Sequence, residues 1–412
     1  MSPTDPLPSA AGPRAAQRRL RDWLPDLAAF AGALLTAGLA ALLLGSLPGC
    51  GGGVGGEGTG SFASSYASGT ISGFGSIIVN GVHFDESNAT VADDDGAGLD
   101  RSALALGMVV QVSGGAISTA ADGRRAATAS TVRTNRALVG PVGGVDAAAG
   151  RLTVLGQSVR VSVDTVFDDR LVGGLAGLAT GQVLAVYGYF DTASAAYAAT
   201  RIAPASVATS YRVSGPVASV DGGQQFKLGS QTYAGATTGL APGAQVRLNV
   251  LPAPDGSGHW VVNNQRADDA PPTDRDGAGL DGVVSALLAG SRFTVNGVTV
   301  DASAARITGL LQAGVRVEVR GTLRAGTLVA SEVKVAAPEA RLFELRGTVS
   351  QLDTVNRRFM LRGTPVAYGR ADLVFQNGTA ALLTGYTGPL EVQGVLSADR
   401  TRLDATVITF KN

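Results

Sequence analysis

The 412-residue sequence predicts an all-β chain, a tandem row of small barrels behind an N-terminal signal or anchor helix. Three observations predict it. A glycine landmark returns at near-constant intervals, short apolar strands follow each return, and the one long uncharged run lies wholly before the one cysteine. Composition agrees, because 57 glycines and only 5% aromatic residues suit many tight turns between short strands. The 33 basic and 33 acidic residues cancel, so no net field draws the chain toward nucleic acid, and nucleic acid is not an expected partner.

The N-terminal segment comes first. Residues 1–26 carry Arg14, Arg18, Arg19 and Arg21, and Leu27–Leu47 carries no charge, a basic region followed by the apolar region of an export signal. The run ends in Leu47-Pro48-Gly49-Cys50 and passes into a Gly-rich stretch from Gly51. This resembles the lipobox of bacterial lipoproteins, in which a diacylglyceryl group joins the cysteine thiol before a peptidase cuts in front of it. Leu47 and the small Gly49 match that pattern, and Pro48 departs from it. The resemblance implies a signal peptide over 1–49, lipidation of Cys50, and a Gly/Ser-rich tether over 50–66. An uncleaved transmembrane helix is the alternative, since 21 uncharged residues exceed the ~18 of a candidate span. In both readings the positive charge before the segment places the rest on the non-cytoplasmic side. The expected location is the bacterial cell envelope, membrane-anchored, at the outer membrane for the lipidated form. The Arg18-Arg19 pair leaves the export route open. One cysteine forms neither an intramolecular disulfide nor a cysteine-based zinc site.

The repeats follow. A glycine with an apolar residue two positions on occurs at Gly69, Gly140, Gly215, Gly282 and Gly347, at intervals of 71, 75, 67 and 65 residues. About ten residues after each lies a short apolar strand ending at glycine, as in Ile77–Gly81, Leu152–Gly156, Phe226–Gly229, Phe293–Gly297 and Phe359–Gly363. Asn80-Gly81 and Asn296-Gly297 are strong hairpin turns, because both residues tolerate positive φ. A second glycine then leads into strict alternation. Val315, Val317 and Val319 fall on one face and Arg316, Glu318 and Arg320 on the other, a half-buried strand. With a closing strand, each unit holds four or five strands in about 60 residues, a size that suits a partly closed five-stranded barrel of OB type. The expected units are 67–135, 138–205, 211–268, 280–337 and 341–410, with an Asp/Pro linker at 269–279.

The stretch Ser68–Asp85, with Leu104–Val110 after it, resembles the bacterial family catalogued as domain of unknown function 5666. The likeness is close in the first unit, fades through the second, third and fifth, and returns at Phe293–Val300 with Gly314–Gly321. It implies tandem barrel-like repeats in a Gly-rich lipoprotein, and it supplies no activity and no site residues.

Candidate sites are few. Asp93–Asp100 and Asp274–Asp281 are one octapeptide with a single change. Alternating acids before a Gly turn are how calcium loops place oxygen ligands, which makes Asp93, Asp95, Asp274 and Asp276 weak calcium candidates. Ala97 and Ala278 stand at the next ligand position and no Glu closes either loop, so a solvated turn or linker is the plainer reading, and no metal or other cofactor is expected. His83 and His259 belong to different units, and Ser61, Ser64, Ser65 and Ser68 read as tether. The recurrent Phe226, Phe293 and Phe359 read as core, because units this small need every large apolar residue. The expectation is therefore a non-enzymatic, lipid-anchored spacer or binding scaffold with a possible protein or glycan ligand. An OB-type oligosaccharide or oligonucleotide binding module is the alternative, and a hydrolase is a remote one.

Overall fold

Every repeat begins with a long strand, broken in the fifth into Phe343–Gly347 and Val349–Asp353, that shifts register a few residues past its glycine landmark, at Ile71/Gly73, Val142/Gly144, Val217/Ser219, Val284/Ala286 and Ser350/Asp353. A bulge adds twist, and the added twist lets one strand pair with two different neighbours and curl the sheet shut. The computed structural model describes residues 64–268, 271–272, 274–336 and 341–411. Cys50 and the lipobox residues Leu47, Pro48 and Gly49 lie outside the described residues, as does the apolar run 27–47. No helix among the described residues is long and apolar enough to cross a membrane.

The described chain is β-structure with three short 3-10 turns. In barrel 1 the strand Ser65–Phe74 pairs with Ile77–Val79, which pairs with Val82–Asp85. Val82–Asp85 runs parallel to Arg125–Thr134, and that strand pairs with Val109–Gly114, which returns to Ser65–Phe74. This closed circuit with one parallel step recurs four times. It is seen over Leu138–Pro204, Tyr211–Ala267, Arg275–Val335 and Phe343–Phe410, which gives the expected five barrels.

The glycine landmark has a steric cause. At the Asn80-Gly81 hairpin both φ values are positive, 52° and 67°, and the Asn80 side chain folds back over the first strand, donating through Nδ2 to the Ser68 carbonyl at 3.1 Å. A Cβ on Gly69 would lie 2.3 Å from Asn80 Oδ1. Barrel 4 repeats the device, with Asn296 Nδ2 donating to Asp281 O at 3.1 Å and a Cβ on Gly282 lying 2.1 Å from Asn296 Nδ2. Barrel 2 places Leu155 over Gly140 instead. The recurrent Phe226, Phe293 and Phe359 are at most 1% exposed and fill the barrel centres.

The barrels are not beads in a row. Strand pairing joins barrels 1, 4 and 5 into one network of 20 strands and barrels 2 and 3 into another of 10. The first strand of barrel 1 runs parallel to Gly277–Leu280 of barrel 4 over Ser65–Ser68, and to Glu344–Leu345 of barrel 5 over Gly73–Phe74. Barrels 2 and 3 meet through Leu138–Val139 against Arg212–Val213. These pairings correct two expectations. Ser65 and Ser68 are strand rather than tether, and residues 275–279 are strand rather than linker. Each segment is too Gly/Ser-rich to look like a strand alone, and each supplies the partner that the other lacks.

Candidate functional site

The polar chemistry of the molecule is concentrated where barrels meet. Asp281 stands one residue before Gly282 and is 1% exposed. Arg316 reaches it with Nε at 2.8 Å and Nη2 at 2.6 Å, and the Thr70 backbone N–H donates to it from barrel 1 at 3.3 Å. Arg316 also donates to Thr70 Oγ1 at 2.9 Å, and that hydroxyl lies 3.0 Å from the Tyr189 hydroxyl of barrel 2. Arg341, ahead of barrel 5, stands 4.0 Å from Asp281, pairs with Glu318, and donates its backbone N–H to Asp164 of barrel 2 at 2.8 Å. One carboxylate thus ties together four barrels. Burial alone would raise its pKa, but Arg316 and then Arg341 outweigh burial and hold it at about 2.

A second knot forms around Asp94. Its side chain is fully buried and paired with Arg136, on the segment between barrels 1 and 2, and with Arg212 of barrel 3. Arg136 also reaches Asp93 at 3.1 Å, and Arg212 pairs with Asp95. Arg247 Nη1 donates to the Asp94 carbonyl at 2.8 Å. Burial works against the Asp94 charge, yet the two guanidiniums prevail and hold its carboxyl below the usual carboxylate range. Arg247 also bonds Asn135 and Asp268, so the chain enters and leaves the pair of barrels 2 and 3 at one point.

The calcium candidates can be read against this geometry. Asp93, Asp94 and Asp95 do bring carboxylate oxygens within 4.8 Å of one another, but guanidiniums already occupy that space. In the second copy, Asp274 accepts from the Ala325 N–H at 3.0 Å and Asp276 pairs with Arg324 at 3.0 Å. His83 is half-buried on a strand of barrel 1, where burial and then Arg124 hold its pKa below the ordinary value. His259 sits in a turn of barrel 3, 3.8 Å from Asp255, and the two histidines do not meet. Tyr187, Tyr189, Tyr233, Trp260 and Tyr368 are buried, so none of these rings offers a stacking face.

Between barrels 1, 2, 3 and 5 lies a cleft of about 860 Å³. Its wall includes Tyr187 and Arg201 of barrel 2, Arg212 and Asn249 of barrel 3, and the Arg362–Pro365 hairpin of barrel 5. This site is not legible in the sequence, because its residues are spread over most of the chain and share no motif.

Three of the five barrels match the model of the family described as Domain of unknown function (DUF5666). The matched residues are 68–129, 139–203 and 281–334, which are barrels 1, 2 and 4. No curated protein matches the chain. The DUF5666 resemblance read from the first barrel is thus shown, and it extends along the second. Barrels 3 and 5 close through the same circuit outside the matched stretches. Barrel 3 has Gly229 where a side chain would cover the first strand, and barrel 5 breaks its first strand between Gly347 and Val349.

Proposed function

We propose that the chain is a non-enzymatic, lipid-anchored protein of the bacterial cell envelope, held at the outer membrane by a lipid on Cys50, whose barrels serve as a spacer or binding scaffold. The observation that carries the scaffold reading is the fusion of the barrels into one body by shared strand pairing and by the buried knots at Asp281 and Asp94. Ser65 follows the tether segment directly, so load from an anchor would enter the strand that pairs with barrels 4 and 5. Ligand binding on an OB strand face by ring stacking finds less support, because the rings it would use are core. A zero net charge disfavours an oligonucleotide partner, and protein or glycan remains the partner class for a scaffold.

The anchor is tested by labelled-palmitate incorporation and by mass spectrometry of the mature N-terminus. The expected result is loss of residues 1–49 with lipid on Cys50, and release from the membrane fraction in Cys50→Ala. An intact Met1 or an unmodified Cys50 would sink it. The scaffold is tested by urea unfolding, where one shared transition is expected and five separate ones would count against it.

A further inference from the structure

Packing the barrels together creates a cleft that no single barrel carries. Its volume of about 860 Å³ falls within the range of roughly 300–1,000 Å³ that small-molecule sites occupy. Four aspartates, among them Asp168 and Asp169, and five arginines, among them Arg201 and Arg362, line it, and Asp94 behind Arg136 and Arg212 completes the balance. An anion would meet the carboxylates and a cation the guanidiniums. A neutral molecule rich in hydroxyls gains from both, because each Arg–Asp pair sets donors beside acceptors.

Tyr187 stands on this wall. It lies directly opposite Arg201 on the paired strands Val183–Asp191 and Ala196–Pro204, so the two side chains share a face. Buried tyrosines ordinarily find a partner for the hydroxyl. Tyr189 does so at Thr70, Tyr197 at Ser214 and Tyr233 at Gln157. Tyr187 is only 6% exposed, and its hydroxyl has no hydrogen-bond partner among the described residues. Arg201 uses Nη1 on the Leu106 carbonyl and Nη2 on Asp168, while its buried Nε is also without a partner. The Tyr187 hydroxyl is thus left open on the wall of a charge-balanced cleft, beside a guanidinium whose Nε is enclosed behind it.

We infer that this cleft binds a neutral polyhydroxylated ligand, a short oligosaccharide, through the Tyr187 hydroxyl and the Arg201 guanidinium. The test titrates the full chain, in a detergent without a sugar headgroup, with maltotetraose, cellotetraose and chitotetraose, and with pyrophosphate as the anionic probe. At least one tetrasaccharide binds, pyrophosphate does not, and Tyr187→Phe weakens the saccharide roughly ten-fold. Thermal stability is unchanged in Tyr187→Phe, because the lost hydroxyl holds no protein group. Asp169→Asn, at an exposed wall position, weakens the same saccharide and serves where Tyr187→Phe folds poorly. Absence of saccharide binding, binding of pyrophosphate alone, or parental affinity in both variants overturns the inference. Any of those results leaves the anchored scaffold standing, since that reading rests on Cys50 labelling and shared unfolding.

Discussion

Asp93–Asp100 and Asp274–Asp281 differ at one position in eight, yet the two copies do different work. The first is a loop after a short strand of barrel 1, closed by Asp93 accepting the Asp95 and Ala97 N–H groups, each at 2.9 Å. The second is the entry into a 14-residue strand that runs parallel to the first strand of barrel 1. In the loop copy the middle acid, Asp94, is buried against arginines and the last, Asp100, only caps a 3-10 turn at the surface. In the strand copy the last acid, Asp281, is buried, while Asp274 and Asp276 stay at the surface. The same residues take opposite burdens because the surroundings, rather than the octapeptide, decide which carboxylate loses water. A buried charge holds only where guanidiniums converge on it.

The largest expected effect comes from Asp281→Asn. It leaves the partly buried Arg316 without its carboxylate partner, and urea unfolding should show a loss of about 3–5 kcal/mol. Asp94→Asn should follow at about 2–3 kcal/mol, less because Arg136 keeps Asp93 and Arg212 keeps Asp95 as charge partners. Hydrogen exchange should report that loss first at the segments entering and leaving barrels 2 and 3. If Asp94→Asn instead loosens the contact between barrels 1 and 4, the assignment of the two knots is wrong.

Acid should separate the copies further. The Asp281 carboxyl is depressed from 3.8 to about 2, so its contribution is complete above its unfolded value and fades as pH falls toward 2. That contribution is about 2 kcal/mol, and a pH series of unfolding midpoints should flatten over that window in Asp281→Asn. The smallest effect belongs to Arg275→Asp, which makes the second copy identical to the first. Among the described residues the Arg275 side chain donates only to the neighbouring Asp274 carbonyl, so stability should stay within about 0.5 kcal/mol. A large loss there would show that the octapeptide itself carries the difference.

Much of the fold is legible in the chain. The hairpins at Asn80-Gly81 and Asn296-Gly297, the alternation in Val315–Arg320 and the core positions of Phe226, Phe293 and Phe359 are local matters of φ, period and volume. A single repeat contains all the information they need. The glycine landmarks were visible as a pattern, while their cause, a side chain folding back from the hairpin, appears only when the strands are paired.

What the sequence determined by itself is five barrels and their turns, because neighbours within about 60 residues settle them. Only the tertiary structure decided that barrel 1 pairs with barrels 4 and 5, that residues 275–279 are strand, and that Thr70 meets Asp281 across 211 positions. Parallel pairing between distant strands leaves no period in the chain, and a carboxylate becomes a knot only when arginines from other barrels arrive around it.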